Sequence, residues 1–119
     1  MPTMRQQTHT VTLYVHVPFC KSLCPYCAFY KKPWSIEEES IYIHAIQREL
    51  AYYKTHNLPI TLHSIFLGGG TPSMLSPKGL DTLLNSIHQT FTLTPTYEAT
   101  SEMNPESVTQ DKVTILKNH

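Results

Sequence analysis

Cys20, Cys24 and Cys27 are the only cysteines of this chain, and they fall within eight residues in the pattern C-x3-C-x2-C. Three thiolates on one short loop are soft ligands that can hold three irons of a 4Fe–4S cube, leaving the fourth iron without a protein ligand and open to chemistry. An odd number of thiols this close together suits a disulfide framework poorly, because the third sulfur has no partner elsewhere. Structural zinc would want a fourth ligand, which His16 or another histidine could supply, but zinc sites usually pair one C-x2-C with a second, distant pair. The cluster is the reading that the neighbouring motifs favour over zinc or inert thiols.

Two further segments could carry chemistry. Gly68, Gly69 and Gly70 precede Thr71-Pro72, and Glu102-Met-Asn-Pro105 follows later in the chain. A glycine run can be no more than a tight turn, but three in succession at a strand end leave main-chain amides and carbonyls open to a polar small molecule. The run lacks the lysine and Ser/Thr of a P-loop and does not fit G-x-G-x-x-G. His16 precedes Cys20 by four residues and could bond near the cluster or to a substrate carboxylate; a backbone-satisfied strand histidine is the plainer role. His44, His63 and His88 read as surface or packing residues, Tyr42, Tyr52 and Tyr53 as helix-packing aromatics, and Glu37 to Glu39 as a helix start favoured by the dipole.

The elements that must position these residues are legible in outline. Val11, Leu13, Val15 and Val17 alternate with Thr12, Tyr14 and His16, the period of a two-faced strand, and Pro18 ends it. Ser35-Ile-Glu-Glu38 predicts a capping box opening a helix to about His56, with Ile36, Ile43, Ile46, Leu50 and Tyr53 as its buried stripe. A second strand, His63 to Leu67, runs into the glycines. Ser76 and Pro77 then start a helix that buries Leu80, Leu83, Leu84, Ile87 and Phe91. A third strand, about Tyr97 to Met103, ends at Asn104-Pro105, and a third helix around Val113 and Leu116 runs to His119.

The order βαβαβα predicts an α/β fold with a parallel sheet, since each helix is long enough to cross between parallel strands. Ligands of such sheets gather beyond the carboxyl ends of the strands, and all three unusual loops occupy that edge. Composition adds limits. The chain has 119 residues, 40% hydrophobic and 15% charged, with a formal net charge of zero, as expected for one soluble domain or part of one. Nothing suggests a nucleic-acid surface or a membrane span, and no signal peptide is legible. Residues 1–10 are expected to be a flexible lead-in, and the reduced thiols point to the cytoplasm.

Taken together, Tyr14-Val-His-Val-Pro-Phe-Cys20, the aromatic Tyr26 before Cys27, Leu67-Gly-Gly-Gly-Thr-Pro-Ser73 and Glu102-Met-Asn-Pro-Glu106 resemble the radical S-adenosylmethionine (SAM) enzymes. Within that superfamily the chain is similar to the oxygen-independent coproporphyrinogen III oxidases and their haem-chaperone (HemW-type) relatives. The resemblance implies that Cys20, Cys24 and Cys27 hold a 4Fe–4S cluster whose fourth iron SAM chelates. It places Tyr14 and Tyr26 along the cofactor site, Gly69, Gly70 and Thr71 at the methionine amino end, and Glu102 against SAM at the ribose hydroxyls. Reductive cleavage of SAM to methionine and a 5′-deoxyadenosyl radical is the implied chemistry, with an electron donor as partner. Oxidases of the branch convert porphyrinogen propionates to vinyls, whereas the chaperones bind haem for delivery to an accepting protein. Oxidases often carry a further cysteine two residues after the third, and chaperones commonly read Cys-Asp-Phe; here Cys27-Ala28-Phe29 matches the chaperones at Phe29 and departs from both at Ala28.

The resemblance also implies a partial (β/α)6 TIM-like barrel, of which residues 11–119 supply the first three βα units. The expectation is therefore an amino-terminal part of a radical SAM core, with an exposed strand edge that a carboxyl-terminal half would pair. A fragment without either activity is a further alternative.

Overall fold

The computed structural model describes residues 9–20, 31–56 and 59–119. The alternating strand around Val15 forms β1 (His9–Val17), the apolar segment that leads into the glycines forms β4 (Ile60–Gly69), and a threonine-rich segment forms β5 (Thr92–Ser101). These three strands make one parallel sheet in the order β1-β4-β5. Between β1 and β4 come two short strands, β2 (Phe19–Cys20) and β3 (Lys32–Pro33), paired in parallel, and then helix α1 (Ile36–Thr55). A 3₁₀ turn (Pro72–Met74) and α2 (Pro77–Thr90) lead from β4 to β5, and α3 (Gln110–Asn118) follows β5.

Alternation along the strands separates two faces. Val15, Val17, Ile65 and Leu67 point to the side covered by the helices, where they join Ile43, Leu50, Leu80, Leu83, Leu84, Ile87 and Phe91 in one buried core. Each such fully buried side chain contributes about 1.5–3 kcal/mol of transfer free energy. The other face shows Thr12, Ser64 and Glu98 in one register row and Tyr14, Phe66 and Thr100 in the next. Tyr14 is 53% exposed, so this face carries no covering layer among the described residues.

Each helix starts where a side-chain cap was legible or available. Ser35 Oγ accepts from Glu38 N, Ser76 Oγ from Gly79 N and Thr109 Oγ1 from Lys112 N, each satisfying one of the orphan amides of a first turn. The capping box at Ser35 is only half made, because the Glu38 carboxylate takes Lys32 Nζ at 2.5 Å.

Several expectations need correction. His9 and Thr10, assigned to the lead-in, pair with Ile60 and Thr61 in β1. Ile36 is 54% exposed, and the buried position of that first turn belongs to Glu39 at 4%. Val113 is 38% exposed while Lys112 is 9%. Tyr52 stands 57% exposed and packs on His56 rather than into the core. β5 begins at Thr92 and ends at Ser101, earlier at both ends than Tyr97 to Met103. Among the described residues no helix is long and apolar enough to cross a membrane.

Candidate functional site

The carboxyl ends of the three long strands lie side by side, with His16 opposite Gly68, Val17 opposite Gly69 and Leu67 opposite Ser101. Beyond Val17 the chain continues as the incoming stem of the cysteine loop. Gly70 N donates to Val17 O at 2.8 Å and Thr71 N to Phe19 O at 2.7 Å. On the stem's other side Lys32 N donates to Pro18 O at 2.8 Å and Trp34 N to Cys20 O at 3.4 Å. The stem is thus held between the glycine loop and the residues returning from the cysteine loop. Cys20 lies half-buried at this edge. Cys24, Tyr26 and Cys27 lie outside the described residues.

The glycines owe their identity to different neighbours. Gly69 has φ +112°, a left-handed conformation, and a Cβ there would also meet the His16 ring at 2.6 Å. At Gly70 a Cβ would meet Phe19 O at 2.6 Å and Pro18 O at 2.9 Å, so two backbones pass too closely for any side chain. Gly68 opens a space on the uncovered face: a Cβ there would meet the Phe66 ring at 2.7 Å, the Tyr14 ring at 3.1 Å and Glu102 Oε1 at 3.2 Å.

Around that space stand the site's side chains. Tyr14 stacks on Phe66 with ring centroids 6.0 Å apart and planes 19° from parallel, and Tyr14 Oη is hydrogen-bonded to His16 Nδ1 at 3.1 Å. Glu102 N donates to Leu67 O at 2.9 Å, which places its exposed carboxylate beside the end of β4. Tyr42, half-buried on α1, donates its hydroxyl to His16 O at 2.8 Å and meets Phe19 edge-on. Burial, and then the nearby Glu49 and Tyr14, push its phenol well above the ordinary tyrosine range.

The glycine loop is braced from behind. Ser73, 4% exposed, accepts Asn104 N at 3.1 Å on its hydroxyl oxygen. Its carbonyl accepts Lys112 Nζ at 2.5 Å, and the same ammonium reaches Ser107 O at 2.9 Å. Burial lowers the Lys112 pKa and the Glu39 carboxylate opposes that shift. The residues expected to bind a cofactor therefore meet at one edge: Tyr14, Cys20, Gly69, Gly70, Thr71 and Glu102. Sequence reasoning missed Phe66, although Ser64, Phe66 and Gly68 share the open face by simple alternation in β4. It also missed Lys112 and Glu39, which no hydrophobic pattern signals.

This edge suits a cluster and a polar, partly aromatic cofactor. It presents a soft thiol, the Gly68 backbone on the uncovered face of the sheet, an aromatic pair and a carboxylate able to accept hydroxyl donors.

Comparison with known proteins agrees. The radical SAM superfamily matches residues 14–119. Haem chaperone HemW of Haemophilus influenzae is 35% identical over 107 residues, 86% of this chain and 28% of the relative. HemW of Mycobacterium tuberculosis is 38% identical over 98 residues, 80% of this chain and 25% of the relative. The oxygen-independent coproporphyrinogen III oxidase of Bradyrhizobium diazoefficiens is 29% identical over 110 residues, 91% of this chain and 24% of the relative. The chain thus spans about a quarter of the length of these relatives. In fold it superposes on coproporphyrinogen III oxidase (HemN) from Escherichia coli, a radical SAM enzyme, with a TM-score of 0.83 at 23% identity over 98% of this chain and 27% of that one. Motif, edge geometry and sequence likeness converge on one conclusion, that this chain belongs to the radical SAM superfamily.

Proposed function

We propose that this chain carries the cluster-binding and SAM-binding part of a haem chaperone of the HemW type. The observation that carries the reading is the meeting of Cys20, the glycine loop of Gly68 to Gly70, and Glu102 at one sheet edge. In it, Cys20, Cys24 and Cys27 hold a 4Fe–4S cluster, which when reduced supplies the electron that cleaves SAM. Gly69, Gly70 and Thr71 receive the methionine end, Tyr14 and Tyr26 line the site, and Glu102 accepts from the ribose hydroxyls. The cargo is haem, handed to an accepting protein in the cytoplasm, and a reductant serves as electron donor. A carboxyl-terminal partner segment would complete the substrate wall.

A second reading, oxidation of a porphyrinogen, is supported by the 29% identity to the Bradyrhizobium oxidase. Anaerobic reconstitution with iron and sulfide separates these readings. About four irons per chain, and a reduced-state paramagnetic spectrum changed by SAM, are expected. Stoichiometric haem uptake without turnover marks the chaperone; 5′-deoxyadenosine formed on adding porphyrinogen marks the oxidase. A chain that takes up no iron overturns both.

A further inference from the structure

Glu39 sits on the first turn of α1 among residues that would be expected to point to solvent, yet it is 4% exposed. Its carboxylate is surrounded by donors. Oε1 accepts Trp34 Nε1–H at 3.1 Å and Ser76 N–H at 2.6 Å, and Oε2 accepts the Ser76 hydroxyl at 2.6 Å. Gly79 makes room for it, since a Cβ there would meet the carboxyl carbon at 2.7 Å. Two of these bonds fix the amino terminus of α2. The third reaches the chain's one tryptophan, which is the first residue after β3.

That position matters because of what holds the two stems of the cysteine loop together. Its stems, Phe19–Cys20 and Lys32–Pro33, form a ladder only two residues long on each side. A pair that short does not hold itself together against the entropy of the loop it closes. Among the described residues, the side chains of Lys32 and Trp34 brace the outgoing stem. Lys32 pairs with Glu38, but both are about a third or more exposed, so solvent screens the pair. Trp34 instead donates to a carboxylate shut away from water, where a charge-assisted bond is stronger.

We propose that Glu39 is a positioning residue for the cysteine loop: anchored on α2 through Ser76, its carboxylate fixes Trp34 and so keeps the outgoing stem against Phe19–Cys20. Its bearing on a cluster rests on the function proposed above. If Glu39 served only to cap α2, the Ser76 bonds would suffice and Trp34 would be dispensable. W34F tests this directly, because it deletes the Nε1–H donor, keeps a ring in a 37% exposed position and leaves both Ser76 bonds intact.

The measurement is amide hydrogen exchange by NMR on the chain without iron. In W34F the amides of residues 32 and 34 should exchange about tenfold faster, the scale of one lost hydrogen bond to a charged acceptor. Those of Gly79 and Leu80 should not change. E39Q, which turns an amide into the donor-lined site, should quicken both groups. Unchanged exchange at residues 32 and 34 in W34F, or a uniform rise at every amide, overturns the proposal. Reconstituted W34F should then surrender iron to a chelator several-fold faster than the parent chain, and equal rates would refute the link to the cluster. If the parent chain takes up no iron, the functional reading falls while the exchange result still decides the role of Glu39.

Discussion

Replacing Gly70 with alanine sets two backbones against each other. The new Cβ would stand 2.6 Å from Phe19 O and 2.9 Å from the carbonyl carbon and oxygen of Pro18, whereas ordinary contact begins at 3.4 Å. None of these atoms is the end of a side chain that can turn away, so relief requires the glycine loop and the cysteine-loop stem to separate. The bonds joining them, Gly70 N to Val17 O at 2.8 Å and Thr71 N to Phe19 O at 2.7 Å, cross that same gap. Opening it by the missing distance stretches both beyond hydrogen-bonding range. Losing them costs about 1 kcal/mol each, and residual overpacking about 1–3 kcal/mol more. The expected loss is therefore about 3 kcal/mol or more, a large part of the ~5–15 kcal/mol that holds a domain folded.

Gly68→Ala is the matched control. Its Cβ meets ring atoms of Phe66 and Tyr14 and the Glu102 carboxylate, all ends of side chains on the open face. They can swing aside at a stability cost of about 1 kcal/mol or less, but into the space proposed for SAM. Urea unfolding followed by far-ultraviolet circular dichroism should rank Gly70→Ala well below Gly68→Ala. SAM titration of reconstituted protein should show at least a tenfold weaker affinity in Gly68→Ala, on the order of 1.4 kcal/mol. If Gly70→Ala unfolds within about 0.5 kcal/mol of the parent chain, or Gly68→Ala is the less stable of the two, the close approach of the two backbones does not exist in solution.

Two further outcomes follow from the buried polar groups. Lys112→Met keeps the length of the side chain but leaves the carbonyls of Ser73 and Ser107 without their ammonium donor. It should cost about 2–4 kcal/mol in urea unfolding; a neutral result would show those carbonyls satisfied without it. His88 has its Nε2 buried and, among the described residues, without a hydrogen-bond partner, between Tyr97 of β5 and the His119 ring, itself bonded to Asp81 at 3.0 Å. Burial, then His119, lower its pKa below the ordinary 6.5. The unfolded chain then binds this proton more tightly than the folded one, so the contribution is intact above about pH 6.5 and is lost as pH falls toward the folded value. Unfolding curves at pH 7.5 and 5.5 should show acid destabilisation that shrinks in His88→Gln; an unchanged acid slope in that variant contradicts the assignment.

Elements driven by periodic burial were legible, and those driven by buried polar contacts were not. The α2 stripe from Leu80 to Phe91 lies in the core as the spacing predicts, because a serine cap, a first-turn proline and five apolar positions agree. The start of β5 was missed for a definable reason. Between Leu62 and Ser64 the register jumps from Leu93 to Glu98, so four residues including Pro95 bulge opposite His63. A proline that cannot donate to a ladder obscures a strand whose other residues still pair around it. The stems at Phe19–Cys20 and Lys32–Pro33 are too short for any period to show. At the site, alternation placed Tyr14 on one face of β1 and the strand His63 to Leu67 led to the glycine edge, while the assignment of Tyr14 to a cofactor came from the family resemblance. Glu39 and Lys112 were hidden because a charged residue at a helical position is read as solvated, and only three-dimensional donors and acceptors reveal otherwise.

Those two hidden residues bear on how loops can serve chemistry that needs sub-ångström placement. Cys20, Glu102 and the glycines belong to three different βα units, and independent loops would each add their own positional error. Here all are referred to one short segment, residues 70–76. Gly70 and Thr71 bond the incoming cysteine stem, Ser73 bonds Asn104 and Lys112, and Ser76 bonds Glu39, which carries Trp34 and the outgoing stem. The 3₁₀ turn within that segment, its Pro72 and Ser73 buried, gives it little freedom of its own. A thiol and a carboxylate that are distant in sequence therefore share a frame of seven residues. Such supported, pre-organised geometry is what a cluster and a cofactor meeting at one point require.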